Sequence, residues 1–107
     1  MIWLIFGHFI GDWALQSDWI AKDKGKNWFV MLAHCMIWTA CICVALEYVG
    51  VYAQWKWIFL CIGHLVADLI KCAAIESTND EKKMYRYLYI DQLWHLLQCW
   101  IVSGGIA

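Results

Sequence analysis

Residues 28–46, WFVMLAHCMIWTACICVAL, run without a formal charge. Wound as a helix at about 1.5 Å per residue, the run is long enough to cross a hydrocarbon core of about 30 Å. No other stretch constrains the fold as tightly, because such a helix needs either lipid or a large apolar core around it. A chain of 107 residues has too much surface to supply that core easily. Only 16% of the chain is charged and 64% is hydrophobic, which leaves little to cover a water-facing surface. An integral membrane protein is expected; a very apolar soluble helical domain is the alternative.

Three further segments have spanning length and are apolar apart from a few His, Asp and Lys. Helices are therefore expected at about 2–21, 28–48, 56–75 and 86–103, separated by the polar stretches AKDKGKN, EYVGVYAQWK and ESTNDEKKMYR. The fold class is all-α: one domain over residues 1–107, a transmembrane four-helix bundle whose sequential helices pack antiparallel. Lys22, Lys24, Lys26, Lys71, Lys82, Lys83 and Arg86 fall at one end of these helices and only Lys56 at the other. The positive-inside rule makes the crowded end cytoplasmic and sends both termini to the opposite side. Trp3, Trp55, Trp57 and Trp100 mark one interface, Trp19 and Trp28 the other; Trp13, Trp38 and Trp94 fall mid-helix and read as packing residues. No basic stretch precedes the apolar start, so no cleaved signal peptide is expected. The six cysteines lie in apolar segments without a CxxC pair and read as small, reduced hydrophobes.

GHFIGD at 7–12 returns as GHLVAD at 63–68, so two helix-pair pseudo-repeats are expected, related by an axis along the membrane normal. All four histidines lie inside expected helices, and three have an aspartate four residues away: His8–Asp12, His64–Asp68 and Asp91–His95. A spacing of four puts two side chains on one helical face. The order reverses in the last pair, and so does the helix direction, so Asp lies nearer the cytoplasmic end each time. Counting inward at 1.5 Å per residue, His8, Asp12, His34, His64, Asp68, Asp91 and His95 share a band about 9 to 20 Å deep.

Interhelical hydrogen bonding would explain any one of these residues. It does not require His with Asp on three helices at matched depth. Four imidazoles and three carboxylates are a donor set for zinc, manganese or iron, and a divalent cation compensates the buried carboxylates. Seven ligands exceed one tetrahedral ion; they suit two ions bridged by a carboxylate, or one ion with the remaining residues around it. Gln16, Lys71 and Gln92 continue the same faces and are candidates to orient ligands or bind substrate. Lys71 could equally neutralise an anion or snorkel to the surface. The other basic residues read as topology signals.

HFIGDWALQ, His34, HLVADLIK and DQLWH together resemble a family of small bacterial and phage membrane proteins of unknown function. The pattern, HxxxD…H…HxxxDxxK…DQxxH, spans essentially the whole chain. More distantly it is similar to the predicted membrane-bound metal-dependent hydrolases. The resemblance singles out His8, Asp12, Gln16, His34, His64, Asp68, Lys71, Asp91, Gln92 and His95, and it implies a multi-pass protein of the bacterial inner membrane.

The function expected first is a membrane-embedded hydrolase with one or two divalent ions, acting on a phosphoester or acyl bond of a lipid or an anionic small molecule. Asp91, the shallowest carboxylate, is the expected general base. The alternatives are a metal-ion or proton transporter or sensor, and a non-enzymatic membrane partner with a structural metal. The lipid bilayer, an anionic or lipid substrate and a second copy of the chain are the partners expected; nucleic acid is not.

Overall fold

A computed structural model describes residues 1–104 of the chain; the placement of the C-terminus at 105–107 lies outside the described residues. Within the described residues the fold is all helix. Helix α1 spans Ile2–Phe9 and runs directly into a π-helical turn, Ile10–Ala14; α2 spans Asp18–Asp23, α3 Trp28–Tyr48, α4 Gln54–Glu76 and α5 Glu81–Val102.

The expected first helix, 2–21, is thus three pieces. Its apolar pattern continues through Trp13 and Leu15, but the backbone first widens, with Leu15 N–H bonding Ile10 C=O five residues back. The chain then restarts at Ser17, whose hydroxyl accepts the Ile20 N–H and caps α2. Helix α3 matches its expected bounds. Asn27 Oδ1 caps it by accepting the Phe29 N–H at 2.9 Å, and Gly50, with φ of +80°, turns the chain after its end. Helix α4 exceeds its expected range by two residues at one end and one at the other. Helix α5 begins five residues before the expected 86, because Asp80 caps it and the following Lys-rich run is readily helical. The two pseudo-repeat motifs therefore occupy different backbones: GHFIGD crosses the α1–π junction, whereas GHLVAD lies in uninterrupted α4.

Helix α1 packs on α3 and α5, and α4 packs on α3 and α5, closing a ring; α2 lies on α3. Gly7 and Gly11, one turn apart, allow the α1–α3 approach. A Cβ on Gly11 would stand 2.8 Å from Trp38 Cα, and one on Gly7 3.0 Å from Cys41 C=O. One apolar core of Leu4, Trp38, Ile42, Leu46, Leu60 and Val102 fills the end of the ring near Met1. Beyond it the interior turns polar while the outside stays apolar. The seven His and Asp singled out above are all 4% exposed or less, whereas Val44, Ile70 and Leu93 are 64–70% exposed. Helices α3 and α4 are each long and apolar enough to cross a membrane. Helix α5 has the length, at 22 residues, but carries charges through its first turns.

Candidate metal centre

Asp12 is at the middle of the arrangement, carried into the ring by the π-helical turn. Its Oδ1 lies 3.2 Å from His34 Nε2 on α3 and 3.9 Å from His64 Nε2 on α4. Those two imidazole nitrogens are 3.0 Å apart, and Asp68 Oδ2 lies 3.3 Å from the first and 3.7 Å from the second. Each Nε2 carries at most one hydrogen, so this knot of lone pairs has fewer protons than contacts. Two ligand atoms bound about 2.0–2.1 Å from one tetrahedral ion stand about 3.3 Å apart. The spacings among Asp12, His34 and His64, 3.0 to 3.9 Å, fit ligands of one cation, and Asp68, its Oδ2 held by Lys24 at 2.8 Å, adjoins that group.

A second group, Asp12 with Asp91 and His95, adjoins the first and shares Asp12 with it. His95 Nδ1 faces Gln98 Oε1 at 3.3 Å, and Gln98 Nε2 donates to Phe59 C=O at 3.3 Å. The amide orientation makes His95 Nδ1 the donor and leaves Nε2 with a lone pair. That nitrogen lies 3.0 Å from Asp91 Oδ1, yet neither atom has a hydrogen-bond partner. With His95 neutral, two buried acceptors face each other; a second proton on the imidazole or a divalent cation would satisfy both. The donor set, imidazole and carboxylate with no cysteine, suits zinc, manganese or iron.

His8 is differently placed from the other histidines. Trp38 Nε1–H donates to its Nδ1 at 3.0 Å, and its Nε2 lies 2.8 Å from Gln92 Oε1. Trp13 Nε1–H also donates to Gln92 Oε1, at 3.2 Å, and Gln92 Nε2 donates to Asp12 Oδ2 at 2.9 Å. An indole only donates and an ionised carboxylate only accepts, so the amide and the tautomer have one consistent assignment. A donor chain runs Trp38 to His8 to Gln92 to Asp12. Both nitrogens of His8 are thus taken by hydrogen bonds, and His8, expected among the ligands, is in neither donor group; Gln92 links it to Asp12.

Two lysines face the carboxylates of the cluster. Lys71 does not snorkel; its Nζ lies 2.9 Å from Asp68 Oδ1 and 3.0 Å from Asp91 Oδ2. Lys24, expected as a solvated loop cation, is 6% exposed. It turns inward to Asp68 Oδ2 at 2.8 Å and Gln16 Oε1 at 2.7 Å. Gly25 allows this by packing where a Cβ would meet Cys72 at 3.3 Å. Gln16 is thereby bound to Lys24 and not to a His or Asp of the cluster. Trp38, read as packing, also stacks on His64 with ring centroids 4.5 Å apart. Lys24, Trp38 and Gln98 are the participants that sequence reasoning missed. The spacing of Gln98, one turn beyond His95, was the available signal for that residue.

The ring of helices and its enclosed His/Asp cluster define a compact helical protein with a potential two-ion centre. Residues 1–106 match the family described as protein of unknown function (DUF3307), and the chain belongs to that family. No curated protein and no solved structure matches the chain.

Proposed function

We propose that the protein is a membrane-embedded, metal-dependent hydrolase. The observation that carries this reading is the pair of donor groups sharing Asp12, with the unsatisfied Asp91 Oδ1 and His95 Nε2 turned towards each other. His34, His64, Asp12 and Asp68 would hold one ion, and Asp12, Asp91 and His95 a second. A divalent ion there supplies Lewis acidity and brings the pKa of a bound water towards neutrality.

The membrane setting rests on the inversion of polarity: charged and imidazole groups inside, large apolar side chains outside. The molecule is 43 Å in its longest dimension, close to the full thickness of a bilayer of about 40–45 Å. We infer a multi-pass protein of the cytoplasmic membrane that crosses four times, with residues 2–23, α3, α4 and α5 as the crossings. The turns at 24–27 and 77–80 meet at one end, where Lys22, Lys24 and Lys71 share a cavity wall with Glu76 and Glu81. That end faces the cytoplasm by the positive-inside rule.

In hydrolysis, water oxygen bonds to phosphorus or an acyl carbon while the ester bond to the leaving oxygen breaks. Asp91 takes the proton released by water and passes it to the leaving oxygen. Lys71, 3.0 Å from Asp91, opposes negative charge developing on the reacting group.

Elemental analysis of the purified protein tests the reading. One or two transition-metal ions per chain are expected, with a loss in His64→Ala. A folded, metal-free wild type would overturn it. Asp91→Asn should keep at least one ion, bound through Asp12, His34 and His64, while hydrolysis is lost.

A further inference from the structure

Two cavities reach the cluster from different directions, and Lys71 belongs to the wall of both. The first is a groove of about 420 Å³ between α4 and α5, opening on the apolar exterior. Its sides are Ile62, Val66, Ile70 and Ile90, and the exposed ones among them face where acyl chains would lie. Ala67 and Ala74 leave its floor open on α4, the space beside Gly63 is filled by Gln98, and Trp94 closes one side by donating its N–H to Gly63 C=O at 3.1 Å. Its charged groups are Lys71 and Asp91. The second is a mixed vestibule of about 500 Å³ at the basic end, with Gln16, Lys22, Lys24 and Lys71 beside Glu76 and Glu81 in its wall, so its charged side chains are three cations and two carboxylates.

Charge decides what the junction would hold. Asp12, Asp68 and Asp91 against Lys24 and Lys71 give a formal sum of −1 with neutral histidines. One divalent ion turns this to +1 and two to +3, and the carboxylates that now hold Lys71 become ligands. The ammonium of Lys71 is then left for an anion, at the point where the apolar groove and the mixed vestibule meet. A soluble phosphoester would use the vestibule alone, and a neutral lipid the groove alone.

We propose that the substrate is an anionic phospholipid, with an acyl chain in the α4–α5 groove, its phosphate at Lys71 and its polar remainder in the vestibule. This rests on the proposed metal centre, which frees Lys71 from Asp68 and Asp91, and on the hydrolase reading for the reaction. The lipid enters sideways from the bilayer.

Native mass spectrometry of the detergent-solubilised, metal-loaded protein tests this with three probes: phosphatidic acid, diacylglycerol and glycerol 3-phosphate. Phosphatidic acid should bind one to one, more than about tenfold tighter than either of the other two, since each buried methylene and the phosphate both contribute. Ala67→Trp, which fills the groove, should weaken it by about tenfold or more with metal content unchanged, and Ile90→Asn should weaken it independently should the first variant not fold. Glycerol 3-phosphate binding as tightly as phosphatidic acid would overturn the proposal, as would a folded Ala67→Trp or Ile90→Asn that binds the lipid normally. A metal-loaded chain that selects phosphatidic acid yet cleaves no ester would overturn the hydrolase and leave the lipid site standing; a metal-loaded chain indifferent to the acyl chain would overturn the lipid site and leave the hydrolase standing.

Discussion

Trp38 donates its indole N–H to Nδ1 of His8 at 3.0 Å, and that hydrogen bond separates His8 from the other three histidines. With Nδ1 occupied, Nε2 carries the hydrogen and gives it to Gln92, which in turn holds Oδ2 of Asp12. Asp12 Oδ1 is left pointing at His34 and His64. The arrangement is that of an outer partner fixing the aim of a ligand.

Removing the donor should therefore weaken metal binding without abolishing it. Trp38→Phe and His8→Gln are expected to lower metal affinity by about 10- to 100-fold while keeping the stoichiometry at saturation. Competition against a calibrated chelator measures this. His8→Ala losing its ions as completely as His34→Ala would contradict the assignment.

Gly11 sits against Trp38, where a Cβ would come within 2.8 Å of the α3 backbone. Backbone cannot swing aside as a flexible side chain can, so Gly11→Ala should push α1 from α3. A loss of about 1–3 kcal/mol is expected, read from thermal unfolding in detergent. Gly50→Ala, in open space at a positive φ, should cost only about 1 kcal/mol.

Lys24 is buried against Asp68 and is one of the two ammonium groups that offset its charge. Lys24→Met is expected to destabilise the metal-free protein by about 3 kcal/mol, because a buried carboxylate loses a partner. Divalent metal should restore most of that loss by taking over the carboxylate. Melting temperatures with and without metal decide it; equal losses in both conditions would count against Asp68 as a ligand.

The proposed four-crossing topology is open to chemical labelling. With the six native cysteines replaced, a cysteine at Lys26 should react with a membrane-impermeant maleimide only from the cytoplasmic side. One at Tyr52, in the turn between α3 and α4, should react only from the other. Labelling of both from the same face would exclude the arrangement.

Much of the cluster was legible in the sequence because helical periodicity is a strong constraint. A four-residue spacing places His64 with Asp68, and Asp91 with His95, and the reversal of order between them fixes a common height. Hydrogen bonding beyond the helix is not written in periodicity. His8 has the same spacing to an aspartate as His64, and only the neighbouring Trp38 makes it a donor to Gln92. Lys24 was hidden for another reason. A cation in a short polar loop normally stays hydrated, and its inward turn depends on the packing of Gly25 against Cys72. The break in the first helix was obscured by its continuous apolar character, since exposed apolar side chains at 9, 10, 13 and 15 look the same on a π turn as on an α-helix.

The π-helical turn at Ile10–Ala14 amounts to one residue more than a regular helix would need there. Wound as a regular α-helix at unchanged length, the same residues would rotate the chain after the turn by about 100° around the helix axis, and Asp12, inside the turn, by part of that. The carboxylate shared by both donor groups would then turn away from His34 and His64. The wide turn thus has a benefit that is not local: one surplus residue sets the angular position of Asp12 among side chains contributed by three other helices.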